Sequence, residues 1–185
     1  NEIADPSNFW FTPNGRKLYA MEVQPSLPTY VYLDTESSEV QLLRQLLKAF
    51  PGQQVQLASQ TLDGNLAIIR VFSDRNPGTF YLFDKAKKQA RHLVHSRPWV
   101  DPNESATVEP VEFTARDGMT IRGYLTVPNG KEAKNLPLVV NPHGGPHGPR
   151  DWWGYNPEAQ FLASRGIAVL QVNFRGSGGY GRDFE

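Results

Sequence analysis

The sequence has no cysteine in 185 residues. That excludes disulfide staples, thiolate metal sites and a cysteine nucleophile. It also lacks an excess of either charge: 19 basic and 19 acidic residues give a formal net charge of +0, so no electrostatic footprint points to nucleic acid or to an anionic membrane surface. Long hydrophobic runs are missing too. Stretches such as Leu138–Val140 and Ile167–Leu170 fall far short of the roughly 20 apolar residues needed to cross a bilayer. No charged-then-apolar leader precedes the body of the chain, which opens on Asn1 rather than methionine; the true N-terminus is expected upstream. What remains is the composition of a soluble globular protein, with the compartment open between cytoplasm and periplasm.

The first half repeats itself. Phe9–Thr12 leads through Pro13-Asn14-Gly15 into Lys17–Val23, and Gln56–Thr61 leads through Asp63-Gly64-Asn65 into Leu66–Phe72. Asn-Gly and Asp-Gly supply the positive φ that tight turns need. Each segment then meets a proline break, at Pro28 and at Pro77-Gly78, and resumes as a strand ending in Asp34 or Asp84. The turn glycines lie 49 residues apart and the two aspartates 50. A period of this size, made of short strands and turns, is the signature of β-propeller blades, each of which buries its apolar face on the next. Between the repeats, residues 39–50 carry leucines at helical spacing and stop at Pro51-Gly52. We read this as a strand running into a short helix between blades. Residues 1–97 are therefore expected to form propeller blades.

Residues 98–110 are polar and carry Pro98, Pro102 and Pro110, which suggests a linker. From 111 the character changes. Val111–Thr114 and Ile121–Val127 flank Asp117-Gly118 as a hairpin. Leu138–Asn141 reads as a short buried strand. Asn156 as N-cap, Pro157 at the first position and Gly166 as the stop frame a helix whose Ala159, Phe161, Leu162 and Ala163 can face a sheet. Ile167–Phe174 reads as a buried strand. Strand, helix and strand make a βαβ unit, which demands a parallel sheet. The fold class expected is thus propeller blades followed by the N-terminal part of an α/β-hydrolase domain, residues 111–185.

His143-Gly144-Gly145-Pro146 sits at the C-terminal end of the first parallel strand, where α/β sheets place their sites. Acyl transfer needs fixed N–H donors aimed at a developing oxyanion. α/β hydrolases take one of these from the loop after this strand, often through His-Gly-Gly motifs. Glycine at 144 and 145 lets backbone approach substrate, and Pro146 fixes the exit of the loop. After the next strand, Gly176, Gly178 and Gly181 match a dinucleotide fingerprint in form. They lie outside a first βα turn, so no cofactor is expected. His143 and His147 have the spacing of a zinc pair, but Gly144-Gly145-Pro146 cannot be helix interior, so no metal is expected. His92 and His95 read as ordinary surface or packing residues.

Two blocks, 137–146 and 171–181, together resemble the prolyl oligopeptidase family of serine peptidases, most of all its acylaminoacyl-peptidase branch. The resemblance implies an N-terminal β-propeller joined to a C-terminal α/β-hydrolase domain, short peptides as substrates, and a Ser-Asp-His triad. It implies that the Gly145 N–H is an oxyanion donor, that His143 supports the loop in place of the tyrosine found in other branches, and that Arg175 pins the turn after the strand. Trp152 and Trp153 either line the substrate passage or pack. No serine here lies in a G-x-S-x-G elbow, so the triad is expected beyond Glu185 and the isolated chain is expected to be inactive. Its necessary partner would then be the rest of its own catalytic domain, with oligomeric state left open. An esterase with the same loop and a non-catalytic propeller module are the competing readings.

Overall fold

The computed structural model describes residues 4–145 and 147–185. Its elements form three sheets. The first is an antiparallel meander of β1 (Pro6–Phe11), β2 (Leu18–Val23) and β3 (Thr29–Tyr32). The second is a four-stranded meander of β4 (Gln54–Gln60), β5 (Leu66–Phe72), β6 (Thr79–Asp84) and β7 (Gln89–His95).

The internal repeat extends to single hydrogen bonds. The Gly15 N–H donates to Thr12 O and the Gly64 N–H to Thr61 O, each at 2.8 Å. In each turn the threonine hydroxyl also meets the side chain two residues on, Asn14 or Asp63. Gly15 and Gly64 adopt φ of 68° and 70°, where a Cβ would be strained.

Helix α1 (Ser38–Ala49) follows β3 directly and occupies the whole of the stretch expected to begin as strand. The Ser37 hydroxyl caps it by accepting the Val40 N–H, and Glu39 and Lys48 lie at the ends that suit their charges. The helix serves two cores with two faces. Val40 and Leu43 are buried with Trp10, Tyr19 and Ala20 of the first sheet. Leu42, Leu46 and Phe50 pack on Val55, Ile69, Val71 and Phe83 of the second. Each fully buried aliphatic side chain here contributes about 1.5–3 kcal/mol, and Leu47, which touches both clusters, joins the two sheets.

The third sheet has the order β10-β11-β9-β8. β8 (Thr107–Thr114) and β9 (Thr120–Val127) form the expected hairpin, with β8 starting inside the proline-bearing stretch. β10 (Leu138–Val140) and β11 (Ala168–Asn173) are parallel and linked through α2 (Pro157–Ala163). Asn156 caps α2 with one side-chain oxygen that accepts from both Glu158 and Ala159, and Gly166 turns out of the helix at φ 82°.

Two expectations are corrected here. β10 is not buried: it is an edge strand among the described residues, and Leu138 and Val140 are exposed. On α2, Phe161 points to solvent under the Arg165 guanidinium rather than at the sheet. The buried position is Gln160, whose amide donates to Asp74 O and Ala106 O while its oxygen accepts the Ala106 N–H. A buried amide is tolerated because each of these polar groups is paired. The same contacts tie the end of the second sheet to the third, as does the Val108 N–H on the Asp74 carboxylate.

Candidate active site

The loop after β10 carries His143, Gly144 and Gly145; Pro146 lies outside the described residues. His143 is held on three sides. Its Nδ1 lies 2.7 Å from Gly144 O, its Nε2 lies 2.8 Å from the Ser177 hydroxyl, and its ring stacks on Phe174 at 4.4 Å with an 18° tilt. A carbonyl only accepts, so Nδ1 carries the proton; in the neutral ring Nε2 then accepts from Ser177. The histidine is thus used up inside the loop. The Gly145 N–H is not: Gly145 is exposed, and among the described residues no acceptor is paired with it.

Ser177 was not expected at this site. It is fully buried, and its own backbone bridges in parallel to Gly148. The Gly148 N–H donates to Gly176 O, and the Gly178 N–H donates to Gly148 O. These bonds stitch the loop after β11 onto the loop after β10. At Gly178 a Cβ would overlap the Gly148 carbonyl oxygen. Gly176 and Gly178 therefore serve loop-to-loop contact. The sequence signal for Ser177 is only its place in the Gly-rich turn.

Arg150, buried and also unforeseen, lies between Trp152 and Tyr180, with centroids 4.1 and 4.0 Å from its guanidinium. It donates to the Tyr180 hydroxyl and to Gln24 O of the first half. Flat aromatic faces on either side compensate a desolvated guanidinium well. Trp152 is half-exposed, whereas Trp153 donates its indole N–H to Val108 O. Both line a pocket of about 330 Å³ with Glu22, Gln24, Gln56, Arg70 and Phe72. Burial pushes the Glu22 carboxyl above its ordinary value, partly opposed by a hydrogen bond from Asn8.

Asp151 is locked by its backbone. Its N–H donates to Asn173 Oδ1 at 2.7 Å and its carbonyl accepts from Asn173 Nδ2 at 3.0 Å. Its Oδ1 accepts from Gln171 at 2.6 Å, but its Oδ2 is buried without a partner among the described residues. Burial raises the Asp151 carboxyl above the usual value, against the opposing pull of His143 and Gln171. Arg175 reaches both oxygens of Asp117, in the hairpin turn of β8–β9, and its Nε lies 3.2 Å from Met119 Sδ. Its side chain is exposed and clamps two turns together.

Residues 153–185 match the model of the prolyl oligopeptidase family. Here the chain is prolyl oligopeptidase family sequence. Dipeptidyl aminopeptidase BIII of Pseudoxanthomonas mexicana is 37% identical over 145 residues, covering 75% of this chain and 21% of that protein. The acylamino-acid-releasing enzyme of Sus scrofa is 32% identical over 137 residues, covering 66% of this chain and 18% of that one. In fold, the acylaminoacyl peptidase of Pyrococcus horikoshii superposes with a TM-score of 0.60 at 21% identity, over 98% of this chain and 27% of its own. The chain thus spans about a fifth of the first curated relative's length. Acylamino-acid-releasing enzymes and a dipeptidyl aminopeptidase both stand among its relatives. Among the described residues no helix is long and apolar enough to cross a membrane.

Proposed function

We propose that the chain joins the end of a β-propeller, residues 1–97, through a linker at 98–110 to the opening of an α/β-hydrolase domain at 111–185, and that the complete protein is a serine peptidase of short peptides. The two meanders with equivalent turns support the propeller reading, and the hairpin followed by a parallel crossover supports the hydrolase reading. In the reaction a serine from outside this chain attacks the peptide carbonyl. As the carbonyl oxygen gains charge, the Gly145 N–H donates to it; the C–N bond then breaks, the amine half leaves carrying the serine's proton, and water later hydrolyses the acyl-enzyme to the free acid and the serine hydroxyl.

The observation that carries this reading is the exposed Gly145 on the loop after β10, whose N–H has no acceptor among the described residues and whose loop is held by His143. His143 is a positioning residue, since both of its nitrogens are already bonded. Gly144 lets the loop pass close to substrate without a side chain. Trp152 and Trp153 wall the substrate pocket, and Arg175 holds the turn behind β11. The relatives' names favour peptides over simple esters as substrates.

The test compares the full-length protein with the isolated 185-residue chain on chromogenic peptides and on acyl esters. The proposal expects peptide turnover by the full-length protein, abolished by a serine-directed reagent, and none by the isolated chain. Ester turnover without peptide turnover, or peptide turnover that survives the reagent, contradicts it.

A further inference from the structure

His92 and His95 are three residues apart on β7, and in a regular strand that spacing sends side chains to opposite faces. The register of β6 with β7 changes this. Tyr81 pairs with His92, Phe80 with Val94 and Thr79 with His95, so Leu93 is an extra residue. This bulge resets the alternation. His92 and His95 now lie opposite Tyr81 and Thr79, which are two apart on β6 and share one face. The two rings come to 4.5 Å between centroids, tilted by 43°.

We propose that His92 and His95 form a two-imidazole binding site for a divalent transition-metal ion, with Cu²⁺ the ion of choice. Two imidazoles bound side by side to one ion at a metal–nitrogen distance of about 2.0–2.1 Å place their centroids about 4.5–5 Å apart. The observed separation lies within that span. Both histidines are exposed, on a strand all of whose residues are exposed, so an ion reaches them from solvent.

Neighbouring residues hold both rings in place. His95 Nδ1 lies 3.1 Å from the hydroxyl of Thr79, which is buried, and that hydroxyl lies within 3.4 Å of Asn76 Oδ1. Asn76 Oδ1 in turn accepts the Gly78 N–H. The Asn76 amide nitrogen lies 3.3 Å from the same hydroxyl, so the contacts allow a relay in either direction; a bound ion selects the one in which Nδ1–H donates to Thr79 and His95 Nε2 keeps its lone pair for the metal. The edge of the His92 ring meets Tyr81 at 5.8 Å, and Tyr81 is itself held against Phe50. Among the described residues no third His, Cys, Asp or Glu joins the pair, so water completes the shell. A site with only two protein nitrogens favours the ion with the greatest intrinsic affinity for nitrogen, which in this series is Cu²⁺, with Zn²⁺ weaker.

This site is independent of the peptidase reading. Its test is titration of the full-length protein with Cu²⁺ alone, followed by calorimetry and by electron paramagnetic resonance. We expect a Cu²⁺ site with two nitrogen ligands. His92→Ala and His95→Ala should each weaken it by about tenfold or more, and Thr79→Val by about tenfold, through loss of the oriented tautomer. All the histidine substitutions are on the surface and should leave the melting curve unchanged. A His92→Ala, His95→Ala double variant that binds Cu²⁺ as tightly as the parent, with the same spectrum, would overturn the proposal.

Discussion

The Ser177 hydroxyl lies 2.8 Å from His143 Nε2, across the gap between the loops that follow β10 and β11. Because Nδ1 of the same ring is committed to Gly144 O, the serine is the donor and the histidine is held in one tautomer. The imidazole therefore acts as a strut between two loops, one of which presents the Gly145 amide.

Removing the donor should loosen that strut without removing it. Ser177→Ala in the full-length protein should lower kcat about fivefold, the equivalent of one hydrogen bond worth about 1 kcal/mol. KM should change little, because no substrate contact is lost. Steady-state kinetics on a chromogenic peptide checks this. A fall of several orders of magnitude would instead make Ser177 part of the chemistry.

The two glycine motifs should differ sharply in tolerance. A methyl at Gly178 meets the Gly148 carbonyl, which is backbone and cannot rotate away, whereas nothing lies within 4 Å of a Cβ at Gly144. Gly178→Ala should destabilise by about 1–3 kcal/mol, as overpacking does, and Gly144→Ala by less than about 0.5 kcal/mol. Denaturant melts of the two full-length variants side by side measure the difference.

Asp151 should make stability depend on pH in a definite direction. Its carboxyl is raised in the fold, so the native state holds a proton at pH values where the unfolded chain has lost it. Its contribution is thus more favourable below the raised value and is lost as pH climbs through it. Asp151→Asn removes the charged form, so it should gain stability over the parent at pH 7 relative to the same comparison near pH 3.8, the ordinary carboxylate value. Melts at the two pH values check the sign; a gain larger in acid would refute the burial argument.

Local chemistry made the repeat legible. Gly15 and Gly64 need positive φ, and the bonds around them are local, so sequence spacing translates directly into matching turns. The frame of α2 was legible for the same reason, since Asn156, Pro157 and Gly166 act within one turn of themselves. What escaped the sequence depends on partners far along the chain. Gln160 is buried because Ala106 and Asp74 satisfy its amide, and Phe161 is exposed because Gln160 takes its place. β10 reads as buried from composition, but its burial depends on a neighbour on its open side, and only β11 pairs with it among the described residues. Arg150 becomes a core residue only where Trp152 and Tyr180 converge. The bulge at Leu93, which brings two histidines together, arises from register and leaves no trace in composition.

Replacing the Gly145 amide by an ester in the full-length protein, with glycolic acid at that position, removes the one amide hydrogen assigned to the oxyanion while adding no side chain. The expected result is a fall in kcat of about 10²–10³ on peptide substrates with KM nearly unchanged. An unchanged kcat would show that the oxyanion is stabilised elsewhere, and the role assigned to this loop would be wrong.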